Sequence, residues 1–214
     1  MSDGKDVLEE IRAGVVAGDM KGVAVLTESA LQSGLDAKTI MDSGLVAAME
    51  VVGDKFEKKD YFVAEVLISA RAMEASLVLL RPLLEASKVE PLGRVAVGTV
   101  AGDLHDIGKN IVAMVLIGAG MEVTNLGVDV SPEAFVQAVA DGADVIGMSS
   151  LLTTTRAMMS TVVSLLQERG LRDSVKVVIG GAAVTDRFAA EIGADGYARD
   201  ANEAVKMVKG LLEG

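Results

Sequence analysis

Along the first ninety residues, apolar side chains return every three or four positions. Leu8, Ile11, Val15 and Val16 form one such stripe, and Val23, Val25, Leu26, Ala30 and Leu31 form another. That period gathers the apolar residues on one face of a helix. Gly18-Asp19 and Gly34 interrupt it, and Asp36 is placed to cap a third helix starting near Ala37. A fourth helix is predicted from about Tyr61 to Leu84, with Pro82 tolerated only near its end. The spacing predicts a four-helix bundle over residues 1–88, and the stretch Ser87 to Leu92, which contains Pro91, reads as a linker.

From residue 92 to residue 214 the texture becomes strand, turn, helix, repeated. Arg94–Val100 (RVAVGTV) is short and rich in β-branched residues, as a buried parallel strand should be. Glu122–Leu126, Val145–Ser149, Val175–Ile179 and a short piece around Tyr197 repeat the signal. Helical patterns fall between them at Ile107–Ala119, Pro132–Asp141, Thr155–Arg169, Asp186–Ile192 and Ala201–Leu212. Such alternation predicts a five-stranded parallel sheet covered on both faces, a Rossmann-like domain of the flavodoxin type. The fold class is thus a helical bundle followed by an α/β domain. Ligands of such sheets bind beyond the carboxyl ends of the strands, so the loops after the strands carry the information.

Composition narrows the chemistry. The formal charge is −11, with 10 basic and 16 acidic side chains in residues 1–90 and 10 and 15 in the remainder, so no basic stripe for nucleic acid hides behind the average. The absence of cysteine removes disulfides, thiolate nucleophiles and cysteine metal sites. The acidic N-terminus lacks the apolar core of a signal peptide, and the longest uncharged apolar run, Ile111 to Met121, is too short to span a bilayer. A cytoplasmic protein that engages neither membrane nor nucleic acid is expected.

The loop after the first strand reads GDLHDIGKN, residues 102–110, and holds the only histidine of the chain. It is not a P-loop: Gly102 and Gly108-Lys109 are separated by five residues, and Asn110 stands where the Mg²⁺-binding hydroxyl belongs. No GxGxxG follows a predicted strand, no GxSxG elbow is present, and no second histidine supports a zinc hydrolase site. What Asp103-x-His105 offers is a carboxylate able to fix the tautomer of one imidazole and aim its other nitrogen outward. A single such ligand suffices where a macrocycle already supplies the equatorial ligands of the metal. Two further strand ends stand out. SSLLTTT, residues 149–155, is rich in hydroxyls, and Gly180-Gly181-Ala182-Ala183 has almost no side-chain volume. Either alone is compatible with an N-cap region or a tight turn.

Taken together, Asp103, His105 and Gly108, then Ser149 and Leu151, then Gly180 and Gly181, resemble the cobalamin signature DxHxxG…SxL…GG. GDLHDIGKNIV is similar to the corresponding segment of cobalamin-dependent methionine synthase and of the small corrinoid proteins of methyltransferase systems. The likeness extends to GDKFEKKDYFVAEVLISARAM, residues 53–73, and so covers nearly the full length. Two departures are visible: relatives often have proline where Ala64 stands, and Thr155 replaces the serine that completes a His–Asp–Ser relay.

The resemblance implies a corrinoid bound base-off and His-on, with His105 as the lower cobalt ligand and Asp103 and Thr155 as its proton relay. It implies a slot for the displaced nucleotide tail lined by Ser149, Leu151, Thr153, Gly180 and Gly181, and a helical cap placing Phe56 and Val63 over the upper cobalt face. Asp106 and Lys109 gain no such role and read as surface or capping residues. With no room for a substrate or folate barrel, the expectation is a stand-alone methyl carrier. One methyltransferase would load it from a methylamine, methanol, a methoxylated aromatic or a betaine. A second would unload it to tetrahydrofolate or a thiol such as coenzyme M, and a reductive activase would restore the cofactor. The other members of the wider family to weigh are the adenosylcobalamin-carrying subunit of a mutase and a cobalamin-sensing regulator. The former is not expected to carry this helical cap, and the latter needs a DNA-binding module.

Overall fold

The computed structural model describes residues 4–86 and 91–213, so most of the predicted linker, residues 87–90, lies outside the described residues. Two compact units are present, one built from the elements before residue 87 and one from the elements after it.

In the helical unit, α1 (Gly4–Ala17) and α2 (Met20–Gln32) meet at Gly18. Its φ of +74° and the proximity of the Ile68 side chain, which a Cβ would overlap, explain the glycine. Asp19 caps α2 by accepting from the Gly22 N–H at 3.0 Å, and Asp36 caps α3 (Ala37–Thr39) by accepting from the Thr39 N–H at 2.8 Å. The third helical run then continues through a π-helical stretch, Ile40–Val46, into α4 (Ala47–Glu57). α5 spans Val63–Ala86 and continues four residues past Pro82. Periodicity placed its start at Tyr61, two residues too early. The Tyr61 hydroxyl instead donates to the Val16 carbonyl at 2.9 Å, while the Glu65 carboxylate accepts from the Phe62 N–H at 2.9 Å, so the helix opens only at Val63. Ile11, Val15, Val23, Ile40, Leu45, Val52 and Leu80 form a fully buried core.

The second unit runs β1 (Arg94–Val100), α6 (Ile107–Gly118), β2 (Glu122–Val130), α7 (Pro132–Ala140), β3 (Val145–Ser149), α8 (Ala157–Glu168), β4 (Lys176–Gly180), α9 (Asp186–Ile192), β5 (Gly196–Ala198) and α10 (Ala201–Glu213). The five strands are parallel in the order β2-β1-β3-β4-β5. This is the expected doubly wound order, in which the chain reverses direction between β1 and β3 and leaves a crevice at their carboxyl ends. β1 is buried along six of its seven residues. Phe135 of α7 is fully buried and fills the space over Gly98, where a Cβ would stand 2.8 Å from the ring.

Two boundaries in this unit differ from the pattern-based expectation by two residues or more. β2 continues to Val130 rather than stopping at Leu126, because the strand absorbs Gly127 (φ +90°) and Asp129 (φ +51°) as irregularities in its register with β1. α8 begins at Ala157 rather than Thr155, because the Thr155 hydroxyl is engaged by a buried carboxylate ahead of the helix.

Truncating Phe135 to Ala should cost about 3–5 kcal/mol, since a fully buried ring leaves a cavity over β1. Chemical denaturation followed through the α/β unit measures this, and a loss below 1 kcal/mol, of the order of ~0–0.5 for a surface change, would show that the ring is not a core anchor.

Candidate functional site at the β1/β3 switch point

The crevice at the switch point is occupied by the Asp103 carboxylate, which is completely buried. Its Oδ1 accepts from the His105 backbone N–H at 3.1 Å and from the His105 ring Nδ1 at 2.6 Å. Its Oδ2 accepts from the Leu151 N–H at 2.8 Å, the Leu152 N–H at 3.2 Å and the Thr155 hydroxyl at 3.0 Å, with the Ser150 hydroxyl 3.3 Å away. The loop after β1 thus supplies the carboxylate, and the loop after β3 supplies most of its cradle. Burial pushes the carboxyl upward. The hydrogen bonds from the His105 ring and N–H, the Leu151 N–H and the Thr155 hydroxyl outweigh that and hold it well below the usual carboxylate range.

A carboxylate can only accept, so the 2.6 Å contact requires the proton on Nδ1 of His105. In the neutral ring Nε2 then keeps its lone pair. The His105 side chain is 52% exposed, whereas Asp103 and Ser150 are fully buried and Thr155 nearly so. The Thr155 and Ser150 hydroxyls lie 2.8 Å apart and both reach the Leu152 carbonyl at 3.1 Å. Thr155 is therefore hydrogen-bonded to the Asp103 carboxylate, and the hydroxyl pair closes on a backbone carbonyl. Within this group of four, only the imidazole is open to water.

Leu104, Ile107, Leu151 and Leu152 flank this imidazole in sequence or through Asp103, and all four are exposed. Large apolar side chains beside one outward-aimed nitrogen fit a flat, largely apolar metal macrocycle. Among the described residues no three His, Cys, Asp or Glu side chains gather at metal-binding spacing. A bare ion would gain one imidazole here, whereas a metal already held equatorially needs only that one. The residues present fit such a group.

The remaining expected positions are distributed as follows. Gly108 opens onto free space, with no atom within 4 Å of a Cβ built there. Ser149 ends β3 in register with Thr99 and Gly180, and Thr153 is exposed in the following turn. At Gly180 a Cβ would stand 2.8 Å from the Ala198 carbonyl, and at Gly181 (φ +112°) it would overlap the Ser150 carbonyl. The missing volume of these two glycines is thus taken up by the protein's own backbone. Half-buried Phe56 lies on α4, and exposed Val63 opens α5, both in the helical unit.

Lys109, expected at the surface, is buried. Its ammonium donates to the side-chain oxygens of Asn110 and Asn125 at 2.6 Å each, and burial lowers its pKa against the opposing pull of Asp106. Ser150, Leu104, Ile107 and Leu152 are the site residues that the motif did not mark. For Ser150 the signal lay in the hydroxyl-rich run, but SxL singles out its neighbours on either side.

Two B12 binding domain models match this chain, one over residues 93–206 and one over residues 7–81. The chain is 40% identical to a corrinoid protein of Desulfitobacterium hafniense over 96% of its length and 97% of that protein. It is 42% identical to dimethylamine corrinoid protein 1 of Methanosarcina acetivorans over 97% of its length and 98% of that protein. The structure is similar to the methanol:cobalamin methyltransferase complex MtaBC from Methanosarcina barkeri, with a TM-score of 0.88 and 28% identity over 98% of this chain and 80% of the matched one.

The chain's single histidine makes the site accessible to ¹⁵N NMR, which should show the Nδ1–H tautomer in the unmodified protein. Asp103→Ala should shift it toward the Nε2–H form that a free imidazole prefers. Because the folded-state pKa of Asp103 is lowered, its stabilisation is full above the ordinary carboxylate value and is lost as pH falls through the folded value. The stability gap between the unmodified chain and Asp103→Ala should therefore be widest at neutral pH and narrow in acid. A gap that stays constant on acidification speaks against this account of the carboxylate.

Proposed function

The chain belongs to the B12-binding corrinoid proteins of methyltransferase systems, and from that premise we propose that it carries a methyl group on a corrinoid bound base-off and His-on, with His105 as the lower cobalt ligand. The observation that carries this reading is the 2.6 Å contact between Asp103 and the ring of a half-exposed His105, in a pair of loops that carry four exposed apolar side chains. When bound, the corrinoid supplies the cobalt on which the methyl group travels.

The residues of the chain divide the remaining work. Asp103 fixes the tautomer of His105 and makes Nε2 a better donor, and the Leu151 and Leu152 amides with Thr155 keep that carboxylate ionised and oriented. His105, the member open to water, would hold the metal and would exchange its proton with solvent. Leu104, Ile107, Leu151 and Leu152 exclude water from the macrocycle edge. Gly108 leaves room at the start of α6, and Ser149, Leu151 and Thr153 line the path of the displaced nucleotide tail. Gly180 and Gly181 serve that path by admitting backbone at close range, the Ala198 carbonyl at Gly180 and the Ser150 carbonyl at Gly181. Phe56 and Val63 act as the apolar residues over the upper face.

In this reading a substrate-specific methyltransferase loads the carrier, a second one unloads it to tetrahydrofolate or a thiol such as coenzyme M, and a reductive activase rescues oxidised cofactor. A methylamine is the first donor to test, because dimethylamine corrinoid proteins are among the relatives. The work is placed in the cytoplasm; among the described residues no helix is long and apolar enough to cross a membrane.

Replacing His105 with Ala should remove the imidazole signature from the visible spectrum of the loaded protein and weaken cofactor binding by about 10- to 100-fold, the usual cost of disturbing a metal-ligand unit. An unchanged spectrum and affinity would sink the assignment. A purified holoprotein whose methyl group is discharged by a partner methyltransferase supports the carrier reading. A tightly held adenosyl group that supports isomerisation with a partner subunit would instead identify a mutase subunit.

A further inference from the structure

Asp129 lies outside the signature and at the end of the edge strand β2. With φ of +51°, it is one of two non-glycine residues at positive φ among the described residues, the other being Lys59 in the turn before α5. Aspartate tolerates the left-handed region better than most residues, but the conformation still costs energy and needs a compensating contact. Asp129 makes two, and both reach the same turn. Its Oδ1 accepts from the Gly102 N–H at 2.7 Å, and its own N–H donates to the Asp103 carbonyl at 3.0 Å. Gly102, at φ +81°, immediately precedes the carboxylate that holds His105.

The Gly102–His105 turn is held by three strands. β1 contributes the Thr99 hydroxyl, which donates to the His105 carbonyl at 2.9 Å. The loop after β3 contributes the Leu151 and Leu152 amides on the Asp103 carboxylate. On the β2 side the hold comes from Asp129. Without its acceptor the Gly102 N–H loses a short bond on the exposed edge of the sheet, and the turn is freed on that side.

We propose that Asp129 is a positioning residue for the cobalt ligand: by holding the Gly102 N–H and the Asp103 carbonyl together, it fixes the turn from which Asp103 aims the His105 imidazole. This rests on the reading of His105 as the ligand. Asp129 acts through the backbone and touches neither the imidazole nor the space in front of Nε2. Its role is that of a hydrogen-bond acceptor with a left-handed backbone, and its charge is incidental.

Two substitutions separate these properties. Asp129→Gly keeps the backbone conformation and removes the acceptor. Asp129→Asn keeps both the acceptor and the tolerance of positive φ and removes the charge. Each full-length variant is loaded with cob(II)alamin in ¹⁵N-histidine-labelled form, and the axial nitrogen splitting in the EPR spectrum is recorded alongside hydroxocobalamin affinity and the thermal melt. For Asp129→Gly the His-on fraction should fall, and hydroxocobalamin affinity should drop by about 3- to 10-fold, at the lower end of the cost of outer-layer changes around metals. Asp129→Asn should restore both. Parental splitting and affinity in Asp129→Gly overturn the proposal, as does an Asn variant that falls with the Gly variant. Hydrogen exchange in the unmodified apoprotein tests the same bond without substitution: the Gly102 amide should be protected, and free exchange there overturns the proposal even if a variant fails to fold. An unmodified chain lacking the ¹⁵N-histidine splitting would instead show that His105 is not the ligand, a failure of the underlying reading and not of the latch alone.

Discussion

Everything in the α/β unit converges on one buried negative charge. A carboxylate excluded from water is tolerable only when donors replace the lost solvent, and Asp103 collects them from both sides of the crevice: ring and backbone of His105 on one oxygen, the Leu151 and Leu152 amides and Thr155 on the other. These donors can converge only because β1 and β3 are neighbours and their loops leave in opposite directions. The sheet order is thus a precondition of the site. The expense of the buried charge is also what makes the site selective in geometry: moving either loop strands a charge or an amide.

The α/β texture of the second half was legible because short β-branched runs alternate with helical patterns, and the observed strand order agrees with the flavodoxin-type expectation. The core of the site was legible for a different reason. Asp103 and His105 are two residues apart, so their pairing is local and needs no knowledge of the fold. Ser150 escaped because its contact with Asp103 spans 47 positions and becomes visible only once β1 and β3 lie side by side. Lys109 escaped for a related reason. A lysine on a helix reads as solvated, and only the side-chain oxygens of Asn110 and Asn125, the latter from the neighbouring strand, make its burial tolerable. The far end of β2 was misread because Gly127 and Asp129 are strand-breaking types, yet the register accommodates them.

The two glycines after β4 show how a correct motif can carry an incomplete reason. Small residues at a strand end suggest that something comes close, and something does: the carbonyls of Ala198 and Ser150. Gly181 therefore bears on the site at one remove, by letting the loop after β4 lie against the backbone of the residue whose hydroxyl approaches Asp103. The helical unit poses a simpler problem. Its cap at Asp36 is the one the sequence announces, whereas Asp19 read only as part of a turn, and the π-helical stretch at Ile40–Val46 left no trace in the apolar periodicity.

The irregular end of β2 has a consequence beyond the loop it holds. A parallel sheet with five strands has two open edges, each a template for an extra strand from another chain. Here β5 is only three residues long, and β2 is bent out of regular spacing by Gly127 and Asp129. Only Glu122–Asn125 of β2 keep an unbroken register with β1. For a carrier that must dock with an enzyme, part from it and dock with another, that matters: strand addition would be slow to reverse. The three residues of β5 and the short regular part of β2 leave such an addition little length to extend along.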